Sequence, residues 1–154
     1  MEINKITKES FSVIGKEGST TEGNEFIGKL WNETTTKKNE IISFAKKDEN
    51  GNLIGFWGAM SDFSHSFKPW EENFSKGLYL AGIEVIDEAQ PPEGWVKWTI
   101  PSYEYIYVKS EGGNTFSEVI KYLNENNIQL VGAVHEFNNP KEEQMYLYFP
   151  IRKF

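Results

Sequence analysis

The sequence predicts an α+β protein made of two similar halves, each with the element order β-α-β-β. Short runs of alternating apolar residues occur in both halves, and an amphipathic helix follows the first run in each. A Leu-aliphatic-Gly triplet also recurs, at 53–55 and at 130–132. Its recurrence at the same place in the element order indicates an internal duplication, with repeats of about 1–88 and 94–154 in a single domain of residues 1–154.

The first half opens with a strand predicted over residues 11–18, where apolar and polar residues alternate. A helix follows, because four apolar residues at positions i, i+1, i+4 and i+5 form one face. These residues are Phe26, Ile27, Leu30 and Trp31. The polar run 48–52 predicts a turn, and strands are predicted over 53–60 and 78–85.

The second half repeats this order. Residues 95–108 predict one strand, or two strand pieces interrupted at Pro101. The apolar face of the second helix is formed by Phe116, Val119, Ile120 and Leu123. Strands are then predicted over 130–137 and 144–151, with a turn between them. The aromatic segment 61–76 of the first half has no counterpart, and it is expected to be a lid or a connecting loop.

The composition excludes several classes of site. The chain has no cysteine, which excludes disulfides and thiolate metal ligands, and its two histidines lack the spacing of a zinc site. We therefore expect no metal and no cofactor, since glycine-rich phosphate loops are also absent. The net charge is −7, and lysines cluster no further than the pairs Lys37-Lys38 and Lys46-Lys47 among acids, which argues against direct nucleic-acid binding. No apolar run is long enough to span a membrane, and the lack of a signal peptide predicts a cytoplasmic protein.

One acidic residue, Glu136, stands at the end of an apolar run. Burial of an unpaired charge is costly, so an acid in such a run suggests a pocket for an apolar, flat and positively charged molecule. The chain has 5 Trp, 7 Tyr and 11 Phe, more rings than a core of this size ordinarily needs. The alternative is a strand-end acid that is exposed to water beside a turn.

The repeat predicts which side chains surround that acid. Alignment of the two triplets places Trp57 and Glu136 on the same side of the assembled sheet, within reach of one cavity. Trp57 is a pocket wall or a core residue, and Trp31 is expected to point at the sheet in either role. Tyr105 belongs to a stripe of tyrosines that suits a half-wet cavity or an open strand face. His135 is expected on the opposite face, packed or exposed, or else a proton shuttle.

Several short segments, taken in order, resemble the GyrI-like, or AraC-type, effector-binding domain. The resemblance covers nearly the whole chain, and its carriers are 11–15, Leu30-Trp31, 79–85, 92–101, 130–140 and 145–151. It implies that the two β-α-β-β repeats form one antiparallel sheet with two helices, related by a pseudo-twofold axis. It also implies that lipophilic, often cationic, small molecules bind between the halves, with Glu136 contacting the cation. We expect Trp57, Tyr105, Tyr148, Trp31 and Phe137 to contribute to the aromatic walls.

The resemblance implies three functions. The first is a stand-alone binding domain of the multidrug-sensing type, which acts in transcription regulation or in drug sequestration. The second is hydrolysis of strained, cyclopropane-bearing toxins, with Glu136 as general base toward water. The third is a protein-interaction module of the topoisomerase-modulator type. Loss of cation affinity in Glu136→Gln would support the first function, and loss of substrate turnover in the same variant would support the second. Co-purification of a protein partner would support the third.

Overall fold

The computed structural model describes all 154 residues. It contains three α-helices, α1 (Phe26–Thr36), the four-residue α2 (Glu71–Phe74) and α3 (Thr115–Glu125), and three short 3-10 helices. It also contains eight strands: β1 (Asn4–Lys8), β2 (Phe11–Ser19), β3 (Phe56–Ser61), β4 (Leu78–Val85), β5 (Val96–Ile100), β6 (Tyr103–Lys109), β7 (His135–Asn139) and β8 (Gln144–Lys153). No helix is both long and apolar enough to cross a membrane.

The eight strands form one antiparallel sheet in the order β1-β6-β8-β7-β3-β4-β2-β5. If each of β1 to β4 is exchanged with its counterpart among β5 to β8, this order reads the same from the opposite end. The strand order therefore has twofold symmetry about the central β3–β7 pair. The prediction of tandem β-α-β-β repeats in one antiparallel sheet is confirmed.

Each repeat has one strand more than the β-α-β-β order contains. Residues 95–108 form two strands, β5 and β6, separated at Pro101. This is the second of the two predicted alternatives, two strand pieces interrupted at that proline. The counterpart of β5 in the first half is β1, which the sequence pattern did not predict. Each extra strand pairs with the other repeat, β1 with β6 and β5 with β2. The repeats therefore exchange their first strands.

Helices α1 and α3 cover the same face of the sheet but leave its centre open. The buried side of α1, Phe26 and Leu30, packs on Tyr79 and Ala81 of β4. The buried side of α3 packs on β6 and β8, with Val134 included in the same cluster. Neither cluster covers the middle of β3 and β7. A groove therefore runs between the two helices, with the central strand pair as its floor.

The opposite face carries no helix and is buried by the curl of the sheet on itself. Its core is mostly aromatic, and the rings pack mainly edge to face. The buried members are Phe11, Val13, Trp57, Ala59, Leu78, Leu80, Trp98, Ile100, Tyr103, Tyr105 and Tyr148. Ten of the 23 Trp, Tyr and Phe residues belong to this core or pack against it.

Two strands begin later than predicted. The predicted strand 53–60 begins only at Phe56, and the predicted strand 130–137 begins only at His135 and continues to Asn139. Both Leu-aliphatic-Gly triplets therefore lie in the loops that lead into the strands. Apolar side chains in these loops pack against the helix-covered face, which is why they resemble strand residues in the sequence.

Candidate functional site

Glu136 lies on the floor of the groove. In the central strand pair, Gly58 of β3 is directly opposite Glu136 of β7, so the two residues share a face. Met60 is two residues further along β3 on that face, and it packs beside Tyr79 in the cluster under α1. Glu136 thus projects between α1 and α3, and its side chain is half-buried.

A chain of two hydrogen bonds connects Glu136 to α1. The hydroxyl of Tyr79 donates to Glu136 Oε1 over 2.6 Å, and Trp31 Nε1 donates to the Tyr79 hydroxyl over 2.9 Å. Gly58 makes room for this pair. A Cβ atom there would overlap the Tyr79 hydroxyl and lie 2.7 Å from Glu136 Oε1. A larger residue at position 58 is therefore incompatible with the observed arrangement.

The carboxylate has no positively charged partner. None of the ion pairs of the protein involves Glu136. Burial raises the pKa of its carboxyl group above the ordinary value of 4.5, and the hydrogen bond from Tyr79 only partly offsets this. Burial, with the neighbouring carboxylate, raises the pKa of Tyr79 far above its usual range, so its hydroxyl remains protonated as the donor.

An apolar cavity of about 300 Å³ opens beside Glu136, toward the start of α3. Three aromatic side chains line it, Trp70 and Phe74 from the segment around α2 and Phe116 from α3, and the rings of Phe74 and Phe116 meet edge to face at 5.1 Å. The other lining residues are Met60, Pro69, Ser110, Gly112, Gly113, Val134, Met145 and Leu147.

The segment 61–76 forms one side of this cavity. Buried Asp62 fixes its beginning, because its carboxylate accepts hydrogen bonds from the Ser64 hydroxyl and the Ser66 backbone N–H. Trp70 fixes the middle, where its Nε1 donates to the Leu78 carbonyl over 2.9 Å. The segment also contains five non-glycine residues with positive φ: His65, Phe67, Glu72, Asn73 and Phe74. Such backbone is costly and persists where surrounding contacts hold it.

The structure divides the predicted site residues between the two faces of the sheet. Trp31 lies on the side of Glu136 and points at the sheet, as expected. The other four aromatic residues lie on the opposite face, where Trp57 is 2 % exposed and its ring centroid lies 4.6 Å from that of Phe137. These four residues are Trp57, Tyr105, Tyr148 and Phe137.

The prediction that Trp57 and Glu136 face one cavity is wrong. The triplet alignment makes Trp57 and Val134 equivalent positions of the two repeats, and so gives Trp57 the face of Glu136. In the sheet, however, Gly58 is opposite Glu136, and Trp57 is opposite Phe137 on the other face. Because side chains alternate faces along a strand, an offset of one residue moves a side chain to the other face. The triplets lie in loops, where no strand register constrains the alignment.

His135 faces away from Glu136, as predicted, and is fully buried. The Met60 backbone N–H donates to its Nδ1 over 3.0 Å, while its Nε2 has no partner. Burial lowers the pKa of His135 to about 3, so the ring is neutral at physiological pH. Its role here is structural, because it accepts a backbone hydrogen bond just beyond the end of the β3–β7 ladder.

Sequence reasoning missed Tyr79, Gly58 and Phe116 as site residues. Tyr79 lies within an apolar strand, and only the register of β3 with β4 and β7 shows that it meets Glu136. Trp70 and Phe74 had a signal, since the sequence marks 61–76 as an aromatic insertion. No group of three or more His, Cys, Asp or Glu side chains is placed to hold a metal ion.

Comparison with solved structures shows the same fold in proteins of low sequence identity. SAV2435 bound to tetraphenylphosphonium matches 99% of this chain and 94% of its own, with a TM-score of 0.67 at 16% identity. The EcmrR C-terminal domain matches 99% and 98%, with a TM-score of 0.65 at 13% identity. A hydrolase from Listeria innocua matches 97% and 91%, with a TM-score of 0.55 at 10% identity.

None of the curated protein sequences compared with the chain matches it. A family model matches residues 6–151, which is nearly the whole chain and includes every helix and strand except the ends of β1 and β8. The model describes Cass2, an integron-associated effector-binding protein. The resemblance to an effector-binding domain is thereby confirmed, and the chain belongs to the Cass2 family of integron-associated effector-binding proteins.

Proposed function

We propose that this protein binds lipophilic aromatic cations in the groove between α1 and α3, as a small-molecule sensor or sequestering domain. The observation that carries the proposal is the environment of Glu136. Its carboxylate is half-buried on an apolar floor, accepts one hydrogen bond from Tyr79 and has no cation of the protein beside it. A bound cation would provide the missing counter-charge.

The cavity beside Glu136 suits such a ligand. Its walls carry the rings of Trp70, Phe74 and Phe116, and aromatic rings attract cations by roughly 0.5–2 kcal/mol each. A volume of about 300 Å³ lies at the lower end of the range of small-molecule pockets. The structural neighbour SAV2435 binds tetraphenylphosphonium, which supports this molecule as the first probe.

Titration with tetraphenylphosphonium, followed by tryptophan fluorescence or calorimetry, tests the proposal. Glu136→Gln should weaken binding by about 1–3 kcal/mol, or roughly 5- to 150-fold, because a desolvated charge–charge interaction is lost. Glu125→Gln removes the same charge from the exposed end of α3 and should leave the affinity unchanged. Equal affinities of wild type and Glu136→Gln would contradict the proposal.

Hydrolysis of a strained electrophile is the second candidate, and the raised pKa of Glu136 favours it. A carboxyl group whose pKa is raised by burial takes up a proton more readily in a proton-transfer step, and the Tyr79 hydroxyl lies 2.6 Å from Glu136 Oε1. Incubation with a cyclopropane-bearing electrophile separates the two functions. Consumption of the compound that Glu136→Gln abolishes would show catalysis, whereas binding without consumption would show a binding protein.

A further inference from the structure

The groove continues beyond Glu136, away from the cavity described above. A second apolar site lies there, more open to solvent, lined by Trp31 and Thr35 of α1, Phe56 of β3 and Asn138 of β7. Trp31 and Phe56 form its aromatic surface, with ring centroids 6.4 Å apart in an edge-to-face arrangement.

The strand register fixes the position of this site relative to Glu136. Phe56 and Asn138 are a directly opposed pair in the central ladder, two residues along from the pair Gly58 and Glu136. Two residues along a strand correspond to about 7 Å, and they return the side chain to the same face. The second site therefore begins one such step, about 7 Å of strand, from the position of Glu136 on one side. On the other side, Met60 and Val134 lead into the first cavity.

We infer that the second site binds an apolar arm of the ligand, and that the ligands are cations with aromatic groups on two sides of the charge. The inference rests on the proposed function of Glu136. A charge positioned at the carboxylate has an apolar surface in both directions along the groove. A cation with a single arm would occupy the deeper cavity near Phe116 and leave the Trp31–Phe56 surface uncovered.

Two matched quaternary ammonium ions test the inference. Benzyltrimethylammonium has one aromatic arm, and dibenzyldimethylammonium has two arms on the same type of charge. The two-armed ion should bind wild-type protein roughly tenfold more tightly, the effect of covering part of an apolar surface. Thr35→Trp fills the second site from an exposed position of α1 and should remove most of this advantage. It should leave the affinity for the one-armed ion unchanged.

Controls separate the possible outcomes. Asn32→Trp adds the same ring at another exposed position of α1 that lines neither site, so this variant should bind both ions as wild type does. If Glu136→Gln weakens both ions but Thr35→Trp leaves the two-armed advantage intact, the second site is wrong and the proposed function stands. If Glu136→Gln weakens neither ion, the proposed function itself is wrong.

Discussion

At the residue scale, the side chain of Glu136 combines two features that seldom occur together: partial burial among apolar groups and the lack of a cationic partner. The sequence pointed to this residue because an acid at the end of an apolar run is unusual. It could not show what surrounds the acid. Tyr79 and Phe116 come from distant parts of the chain, and their approach depends on a register that local patterns do not specify.

The raised pKa of Glu136 predicts that cation binding depends on pH. A cation favours the ionised carboxylate, whereas burial in the empty groove favours the protonated form. The affinity for tetraphenylphosphonium should therefore be constant well above the pKa of Glu136. Below it, the affinity should fall by about tenfold per pH unit. Calorimetric titrations from neutral to acidic pH measure this, and Glu136→Gln should give a flat profile. A flat profile for the wild type would contradict the assignment.

His135 predicts a second pH effect, on stability. Its pKa is about 3 in the folded state and near 6.5 when unfolded, so only the unfolded chain takes up this proton between those values. The stabilisation is complete above pH 6.5 and is lost by about 1.4 kcal/mol per pH unit as the pH falls toward 3. Glu136 acts in the opposite sense, because its folded-state pKa is raised.

Urea unfolding in the Glu136→Gln background measures the His135 effect without that opposing contribution. The carboxyl groups of Asp48 and Asp62, whose pKa values are lowered in the folded state, lose their stabilisation only near their ordinary value of 3.8. The slope between pH 5 and 6.5 should therefore come mainly from His135. His135→Gln should flatten it, and an unchanged slope in that variant would refute the prediction.

At the scale of elements, the site follows from what the two helices leave uncovered. Helix α1 packs on β2 and β4, and the core of α3 lies mainly on β6 and β8. The central strands β3 and β7 consequently form a floor that neither helix covers. The sequence predicted both helices and most of the strands because their apolar periodicity is regular. It placed the start of β7 too early because the apolar loop before that strand mimics strand alternation.

Gly58→Ala tests the packing of β3 against the Tyr79–Glu136 pair. The new Cβ would overlap the Tyr79 hydroxyl, so the hydrogen bond should be displaced and cation affinity should fall severalfold. The double variant Gly58→Ala, Tyr79→Phe lacks the overlapping oxygen, so it should recover part of the stability that Gly58→Ala loses. Gly28→Ala is the matched control, since no atom lies within 4 Å of its added Cβ.

The control should be stabilising, by about 0.5–1 kcal/mol, because Gly28 lies within α1. Thermal unfolding and tetraphenylphosphonium titration of the variants give both readouts. Wild-type affinity and stability in Gly58→Ala would show that the floor of the groove tolerates a side chain there, contrary to the geometry described.

At the scale of the whole molecule, the exchange of β1 and β5 joins the two repeats. Each repeat contributes the edge strand of the other, and β3 pairs with β7 at the centre. The duplication was detectable from element order alone, because both halves carry the same sequence of patterns. The exchange was not, since β1 is short and largely exposed and gives no apolar alternation.

This arrangement predicts that the two repeats unfold together. Urea unfolding followed by tryptophan fluorescence and by far-UV circular dichroism should give coincident single transitions, because neither repeat has a complete sheet without the other. Residues 1–88 expressed alone should lack β5, β7 and the α3 core, and should remain largely unfolded. Two separate transitions in the intact chain would contradict the prediction.

The central claim is that Glu136 recognises positive charge in an apolar groove. The most direct test compares tetraphenylphosphonium with the neutral triphenylphosphine oxide, in the wild type and in Glu136→Gln, by calorimetric titration. The wild type should prefer the cation by at least about tenfold, and Glu136→Gln should bind the two molecules with similar affinity. An undiminished preference for the cation in Glu136→Gln would show that the counter-charge lies elsewhere.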